Sequence, residues 1–358
     1  MRAVMFHGKE DLRVEEIDEP GTPQPGWVKL KLAWGGICGS DLHMYTEGGL
    51  ASTPTKDTPN KQTGEYLPIV LGHEFSGTVV ELGEGVDSVT VGTNVAVRDN
   101  VACGECAACR SGKSNICRNQ WGFGLSGRGG GLSEYINVPA ANVHDVKDMP
   151  LDHAAMIEPL SVATHAVRLS GAKAGDVAVV GGAGPVGLFV AAILKAKGAT
   201  VIVSEPAQVR REKALSASHA DFGVNPIEED LDALVAEQTD GLGADVVFDC
   251  AGAGPVVHQL IKNVRPGGHI QLIALPSRAL ELNTTAELHY TEATVSGTMA
   301  YLAEDFEDSI AMINSGKLDV EPFVTARIQP EQIVEQGFET LIHHPETAIK
   351  ILVQSSVN

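Results

Sequence analysis

Residues 176–197 read DVAVVGGAGPVGLFVAAILKAK, and the fold turns on how they are read. Asp176–Val180 is a short valine-rich run of the kind that forms a buried strand. Gly182-Ala-Gly-Pro-Val-Gly187 fits G-x-G-x-x-G, and Pro185–Lys197 reads as a helix with proline in its first turn. A glycine triplet alone carries little weight, but a strand before it and a helix after it make it a dinucleotide-binding turn. The glycines permit a tight turn and close approach of a pyrophosphate, whose charge meets the unpaired N–H groups of the helix N-terminus. Gly182, Gly184, Val186 and Gly187 are therefore candidate cofactor contacts. The next strand, Thr200–Ser204, is followed by Glu205, 18 residues past Gly187. A carboxylate there accepts hydrogen bonds from both adenosine-ribose hydroxyls and repels a 2′-phosphate, so NAD is expected rather than NADP. Arg210-Arg211 pull the other way, because a guanidinium suits a 2′-phosphate. On the plainer reading one of them, taken as Arg210, lies along the adenine and the other is solvated. The same stretch contains 18 uncharged residues, Val177–Leu194, the lower edge of a membrane span. Its glycines and Pro185 break it in the first half, so a buried strand–turn–helix is expected instead.

Working outward, the alternation continues. Gln208–Ser218 reads as helix, Ala244–Cys250 as strand, Val256–Val264 as helix and His269–Ala274 as strand. That order is the mark of a doubly wound parallel sheet in an α/β domain. The first 150 residues read differently. Val28–Trp34 alternates around lysines, and Gly77–Val97 gives Val-rich runs punctuated by Gly83, Gly85 and Gly92. Gly48–Pro68, polar and rich in Thr, Pro and Lys, is a surface connection longer than usual. Late in the chain, Asp305–Ser315 reads as a helix ended by Gly316, and Thr347–Val353 as a closing strand. The expected division is a β-rich domain over 1–154, a Rossmann domain over 155–300, and a tail, 301–358, returning to the first domain.

The composition agrees. A length of 358 residues suits two domains, and 43% hydrophobic residues exclude a largely disordered chain. The 39 glycines lack a Gly-X-Y period, which excludes collagen. Lys and Arg total 26 against 46 Asp and Glu, a net charge of −20, which repels nucleic acid and anionic membranes. Met1–Val14 carries Arg2, Lys9, Glu10, Asp11 and Arg13 without an apolar core, so no secretory signal is read and a cytoplasmic location is expected.

Four of the six cysteines crowd into Cys103-x2-Cys106-x2-Cys109-x7-Cys117. Four thiolates at this spacing converge tetrahedrally on one zinc and leave no position open, which marks a structural site. Two disulfides or an iron–sulfur cluster are the alternatives. Disulfides between such close neighbours would close only small strained loops. A second set is scattered: Cys38, His73, Glu74 and Glu158. Singly, Cys38 reads as a small buried hydrophobe, His73 as a loop histidine and Glu158 as a helix-end charge. Together they offer the mixed donors that an open catalytic zinc needs. Ser40 and His43, two and five residues past Cys38, are candidate proton-transfer groups, their plain reading being turn residues.

These motifs resemble those of the zinc-dependent medium-chain alcohol dehydrogenases over essentially the whole chain. Gly72-His73-Glu74-x2-Gly77-x5-Gly83-x2-Val86 is similar to that family's zinc signature. Gly36-Ile-Cys38-Gly39-Ser40-Asp41-Leu-His43 looks like its catalytic-cysteine motif, and the four-cysteine loop like its structural-zinc lobe. The resemblance implies a GroES-like β-rich catalytic domain with a Rossmann domain inserted before the C-terminal return. It also implies two zincs per chain, one catalytic and one structural, with NAD and a homodimer or homotetramer. Within the family the polyol and butanediol branch fits best, since Glu158-Pro-Leu-Ser-Val stands where classical members place a cysteine ligand. The Thr-Gly-Glu segment at 63–65, Glu158–Arg168 and Gly316-Lys-Leu-Asp-x-Glu-Pro resemble its butanediol dehydrogenases.

Sorbitol dehydrogenases usually carry Tyr after the relay histidine and an Arg-Tyr pair late in the nicotinamide region; here the matching positions read Met44 and Ala300-Tyr301. The implied substrate is a short diol or hydroxyketone, namely 2,3-butanediol and acetoin or diacetyl, with sorbitol or another polyol as the alternative. By the same resemblance His43 accepts the proton through the cofactor ribose. Glu74 and Glu158 either exchange on the zinc or divide between ligand and outer-shell carboxylate, with Glu158 favoured as the resting ligand. A nucleotide-sensing or structural protein on the same scaffold would be expected to lack a ligand or the relay, and all are present.

Overall fold

A computed structural model describes residues 1–276 and 278–356 of the chain. The described residues fall into two compact units, one built from Met1–Pro159, Leu302–Ser315 and the chain from Phe323 onward, the other from Leu160–Tyr301 and Gly316–Pro322.

The first unit is β-rich because its apolar residues alternate. It opens with β1 (Arg2–Gly8), β2 (Asp11–Glu16) and β3 (Trp27–Gly36). In β3, Val28, Leu30 and Leu32 are fully buried, while Lys29 and Lys31 face the other side of the sheet. Helix α1 (Gly39–Glu47) follows at once, then β4 (Ile69–Val70), β5 (Glu74–Leu82) and β6 (Asn94–Val97). The 48–68 stretch between α1 and β4 forms no helix or strand, as its composition predicts. The lobe with the four cysteines lies between β7 (Asn100–Val101) and β8 (Trp121–Gly122), and holds one turn of helix, α2 (Ala107–Arg110). Then come β9 (Tyr135–Pro139), β10 (Val143–Asp145), α3 (Leu151–Ala154) and α4 (Ile157–Ser170). Val28, Leu30, Leu32, Phe75, Val95 and Ile136 form one core on this sheet.

The second unit takes in α4 from Leu160 onward, then β11 (Val177–Gly181), α5 (Pro185–Ala196), β12 (Thr200–Ser204) and α6 (Gln208–Ser216). It continues with β13 (Phe222–Val224), α7 (Leu231–Gln238), β14 (Ala244–Asp249), α8 (Gly254–Asn263), β15 (Val264–Leu272) and β16 (Thr294–Gly297). All six strands are parallel, in the order β13-β12-β11-β14-β15-β16. In chain order this is 3-2-1-4-5-6, the dinucleotide-binding arrangement. The 18 uncharged residues are thus β11, a turn and α5; among the described residues no helix is long and apolar enough to cross a membrane. Val264 belongs to β15 and not to the preceding helix, because the β-branched side chain and the Pro266-Gly-Gly stretch after it favour extended backbone.

The chain then adds α9 (Ala303–Asn314), β17 (Val324–Ile328), α10 (Glu339–His343) and β18 (Lys350–Gln354) to the first unit. β18 lies between β17 and β3, so the large sheet runs β10-β6-β5-β3-β18-β17, with β9 also on β3. Leu352 pairs with Gly36, Val353 with Gly35 and Gln354 with Trp34. On the β5 side, Gly36 pairs with Glu74. The C-terminal end of β3 is therefore where three strands and the start of α1 meet.

Candidate active site

Cys38 is the N-cap of α1, in extended backbone, and its N–H donates to the Asp41 carboxylate at 2.9 Å. A carboxylate three residues into the helix satisfies the cap donor and complements the helix dipole. The same Asp41, fully buried, turns its other oxygen to His73 Nδ1 at 3.3 Å. The opposite ring nitrogen, Nε2, lies 3.1 Å from Ser40 Oγ. A carboxylate behind one imidazole nitrogen fixes the ring so that the other faces a metal. Burial alone would push the His73 imidazole down, but the Asp41 and Cys38 charges hold it well above its ordinary value.

Glu74 opens β5 with no exposure to solvent. Its carboxylate reaches across β3 at Gly36, where a Cβ would collide with Glu74 Oε2. Ligand atoms of Cys38, His73 and Glu74 lie within 4.8 Å of one another. Glu158, the second residue of α4, is 7% exposed but stands outside that set. Burial, then the neighbouring Asp99 charge, push its carboxyl well above the usual carboxylate range, while His73 offsets part of this. The donors that converge are one soft sulfur, one imidazole and one buried carboxylate, which fits a zinc with an open position.

Ser40 and His43 are not turn residues: both lie on α1. His43 is half-exposed and meets Glu47, one turn on, at 3.2 Å. Met44 is buried in the core with Phe6, Ile37 and Phe338. Tyr301 is likewise buried. Two site residues escaped sequence reasoning. Asp41 stood inside a quoted motif without a role, though a carboxylate three residues after an N-cap is a readable signal. Lys350 stood in the apolar run Ala348-Ile-Lys-Ile-Leu-Val353, where only its oddness marked it. It is 1% exposed, and its ammonium donates to Glu74 Oε1 at 2.6 Å and to the Ile37 carbonyl at 3.0 Å.

The four-cysteine lobe is closed. Cys106 and Cys109 sulfurs are 3.5 Å apart, Cys106 and Cys117 3.7 Å, and Cys117 and Cys103 3.5 Å. All are free thiols, too far apart for disulfides. Four sulfurs around one zinc at ~2.3 Å stand ~3.8 Å apart, so these separations suit a single ion. Backbone N–H groups of Cys103 and Asn119 point at the Cys117 sulfur, each at 3.4 Å. The backbone at Cys109 draws the Cys106 thiol down to about 6, while burial pushes the neighbouring Cys109 thiol up to about 12.

In the second unit, Gly182 adopts φ +97° directly after β11. Gly184 caps α5, with Pro185 in the first turn. At Gly187 a Cβ would strike the Gly182 carbonyl, so helix and turn touch only because the side chain is hydrogen. Glu205 is 6% exposed. One carboxylate oxygen accepts the Ala183 N–H of the glycine turn at 2.7 Å, the other the Ala207 N–H at 2.9 Å. Two backbone bonds leave a carboxylate further lone pairs for ribose hydroxyls. Arg211 is half-buried, and its guanidinium donates to the Glu205 and Pro206 carbonyls, both at 2.8 Å. Arg210, on the same helix, is half-buried. Beside the C-terminal ends of β14 and β15 a cavity of about 510 Å³ is lined by Asp249, Gly252, Leu272 and Ala274, at the strand ends where such sheets take ligands.

Residues 24–148 match the alcohol dehydrogenase GroES-like domain, and residues 185–315 the zinc-binding dehydrogenase domain. The chain is 42% identical to an (R,R)-butanediol dehydrogenase of Neisseria gonorrhoeae over the full length of both. It is 37% identical to an L-threonine 3-dehydrogenase of Thermococcus kodakarensis, over 91% of this chain and 90% of that one. The crystal structure of a 2R,3R-butanediol dehydrogenase from Bacillus subtilis superimposes with a TM-score of 0.91 at 37% identity, covering 99% of each chain.

Proposed function

The chain belongs to the zinc-binding alcohol dehydrogenases with a GroES-like domain, and from that membership we propose that it interconverts (R,R)-2,3-butanediol and acetoin with NAD. The observation that carries this reading is the 42% identity to a butanediol dehydrogenase along the whole chain. Cys38, His73 and Glu158 would hold the catalytic zinc with Glu74 beside them, and Cys103, Cys106, Cys109 and Cys117 the structural one. When bound, the catalytic zinc supplies Lewis acidity to the substrate oxygen, and NAD takes up the hydride.

The chain's own residues do the rest. Asp41 fixes the His73 ring. Ser40, on α1 and beside His73, hydrogen-bonds the substrate hydroxyl and relays its proton, releasing its own hydroxyl proton as it accepts the substrate's. His43, one position short of a full turn further along α1, is the acceptor that passes it to solvent; its half-exposed ring and Glu47 partner suit that task. For each alcohol oxidised, one hydride and one proton leave, giving a ketone and NADH. In the second unit Gly182, Gly184, Val186 and Gly187 receive the pyrophosphate, Glu205 the adenosine ribose, and Arg210 the adenine side. Arg211 serves the backbone, which removes half of the sequence argument for NADP.

The free thiols suit a reducing compartment, so we place the enzyme in the cytoplasm, as a homodimer or homotetramer to be read by light scattering. The deciding assay follows NADH formation with the stereoisomers of 2,3-butanediol, sorbitol and L-threonine, each with NAD and NADP. Highest kcat/KM with the (R,R)-diol and NAD is expected. Preference for threonine would move the chain to the activity named for its thermococcal relative, and preference for sorbitol to the polyol branch.

A further inference from the structure

Asp41 fixes how the His73 ring is turned, but the backbone that carries the ring is held by a glycine-rich segment from later in the same unit. Residues 123–132 read FGLSGRGGGL. Gly72, directly before His73, is buried, and its peptide is gripped on two sides. The Gly131 N–H donates to the Gly72 carbonyl at 2.7 Å. Gly124, in left-handed backbone at φ +72°, lies so near that a Cβ would collide with the same carbonyl and come within 2.7 Å of the Gly72 nitrogen. This contact is backbone on backbone, and neither side has a flexible end that could give way. Two residues after His73 the segment closes in again. A Cβ on Gly131 would meet the Phe75 side chain at 2.5 Å, and the buried Phe123 ring stands edge-on to the Phe75 ring, centroids 6.3 Å apart. The segment is itself anchored. The Leu132 N–H donates to the Leu71 carbonyl at 3.0 Å, the Gly124 N–H to the Gly129 carbonyl at 2.8 Å, and the buried Ser355 hydroxyl to the Gly131 carbonyl at 2.8 Å.

We infer that Gly124 and Gly131 are positioning residues for the reaction, a seat that sets where His73 stands against Cys38 in the metal site. The inference rests on the zinc site proposed above. Turning the ring and placing it are separate tasks. Asp41 and Ser40 meet the two imidazole nitrogens and govern the turn. The seat governs where the His73 Cα lies, because it holds the residue before it and the second residue after it. A wall of side chains would yield by changing rotamers, whereas two peptides in contact yield only when backbone moves. Catalytic geometry tolerates little of that, since a misplacement on the order of 1 Å costs ~100-fold in rate. Linkage makes the coupling reciprocal: metal bound at His73 steadies residues 123–132 as that segment steadies His73.

Two measurements test this. The first uses the unaltered chain and follows hydrogen exchange by mass spectrometry in peptides spanning 70–76 and 121–132. It compares protein with both zinc sites filled against protein whose Cys38–His73 site alone has been emptied by a chelator. Emptying should speed exchange in both peptides together; faster exchange in 70–76 with none in 121–132 overturns the inference. The second uses Gly124→Ala. It should keep the four-cysteine zinc and its KM for NAD, release the catalytic zinc to a chelator ~10–100-fold faster, and lose ~100-fold in kcat. Gly92→Ala is the control. Gly92 is also left-handed, at φ +90°, but has open space where the Cβ would go, so the substitution brings the same backbone strain without the collision. It should lower the melting temperature and leave zinc release and kcat as they were. A folded Gly124→Ala with wild-type zinc release and kcat overturns the inference, as does a Gly92→Ala that matches its losses in both. Where Gly124→Ala fails to fold, the exchange comparison decides by itself. Two zincs retained in Cys38→Ser would instead overturn the zinc site on which the inference stands.

Discussion

Asp41 touches no substrate in any reading of this chain, yet it serves both Cys38 and His73. Asparagine at this position keeps an oxygen for the Cys38 N–H but loses the charge behind the imidazole. Asp41→Asn should cost ~10–100-fold in zinc affinity at the catalytic site while the four-cysteine metal stays. Competition with a chromogenic chelator measures both; equal loss from the two sites would show general unfolding instead of a specific role. Glu205 has a comparable double duty. Glu205→Ser removes a ribose acceptor, the charge that rejects a 2′-phosphate, and the bond to Ala183 that shapes the glycine turn. NAD should bind about tenfold or more weakly, on the order of 1.5–3 kcal/mol for a charged hydrogen bond, and discrimination against NADP should shrink. KM for each cofactor decides it, and a wild-type preference for NADP would remove Glu205 from this role.

Legibility at this scale followed chemistry. Cys38, His73, Glu74 and the four clustered cysteines were readable because few residue types bind zinc and their spacing is distinctive. Lys350 was not, since one lysine in an apolar run carries no period, and its partner Glu74 lies 276 residues away. The side on which Met44 lies was hidden too: a sequence position next to His43 says nothing of which face of α1 it occupies. Residues i and i+1 on a helix point about 100° apart, and here one meets solvent and the other the core.

Among the elements, those with long periodic patterns were plain and the short ones were hidden. Thr200–Ser204 was expected over the same residues as β12, and α5 differs by one residue at its end. The three residues of β13 and four of β16 carry too little alternation to stand out, yet they supply the two outer strands of the parallel sheet. The four-cysteine lobe, with one short helix and a two-strand ribbon, buries little apolar surface of its own and depends on its metal. Cys106→Ser should lose one zinc per chain, lower the melting temperature and leave the catalytic zinc in place. Atomic absorption with thermal unfolding reads both; two zincs and unchanged melting would remove the structural role. At the junction of β11 and α5, Gly187→Ala pushes a Cβ against the Gly182 carbonyl, and cofactor affinity should fall before the global fold does.

For the molecule as a whole, the sequence carries a formal charge of −20 over 358 residues. Like charges on a compact body repel, and the repulsion is relieved by unfolding or by screening. Adding sodium chloride shortens the Debye length from ~30 Å at 0.01 M to ~3 Å at 1 M. The melting temperature should therefore climb by a few degrees between these limits, at fixed zinc and without cofactor. A flat or falling curve would show that the acidic groups are already balanced locally.

The meeting of β3 and β18 also sets an order of events in time. The Lys350 ammonium bonds the Ile37 carbonyl across 313 residues of chain. All of the parallel-sheet unit is synthesised between the two strands that must lie side by side. Until β18 docks, the last residues of β3, Trp34–Gly36, are an open strand edge beside the thiol of Cys38. Such edges recruit other chains. Folding the inserted unit first turns a long slack loop into a compact spacer and reduces the entropy of closing the sheet. Lesions deep in the nucleotide-binding half should then surface as aggregation of the catalytic half during biogenesis, far from where the sequence was changed.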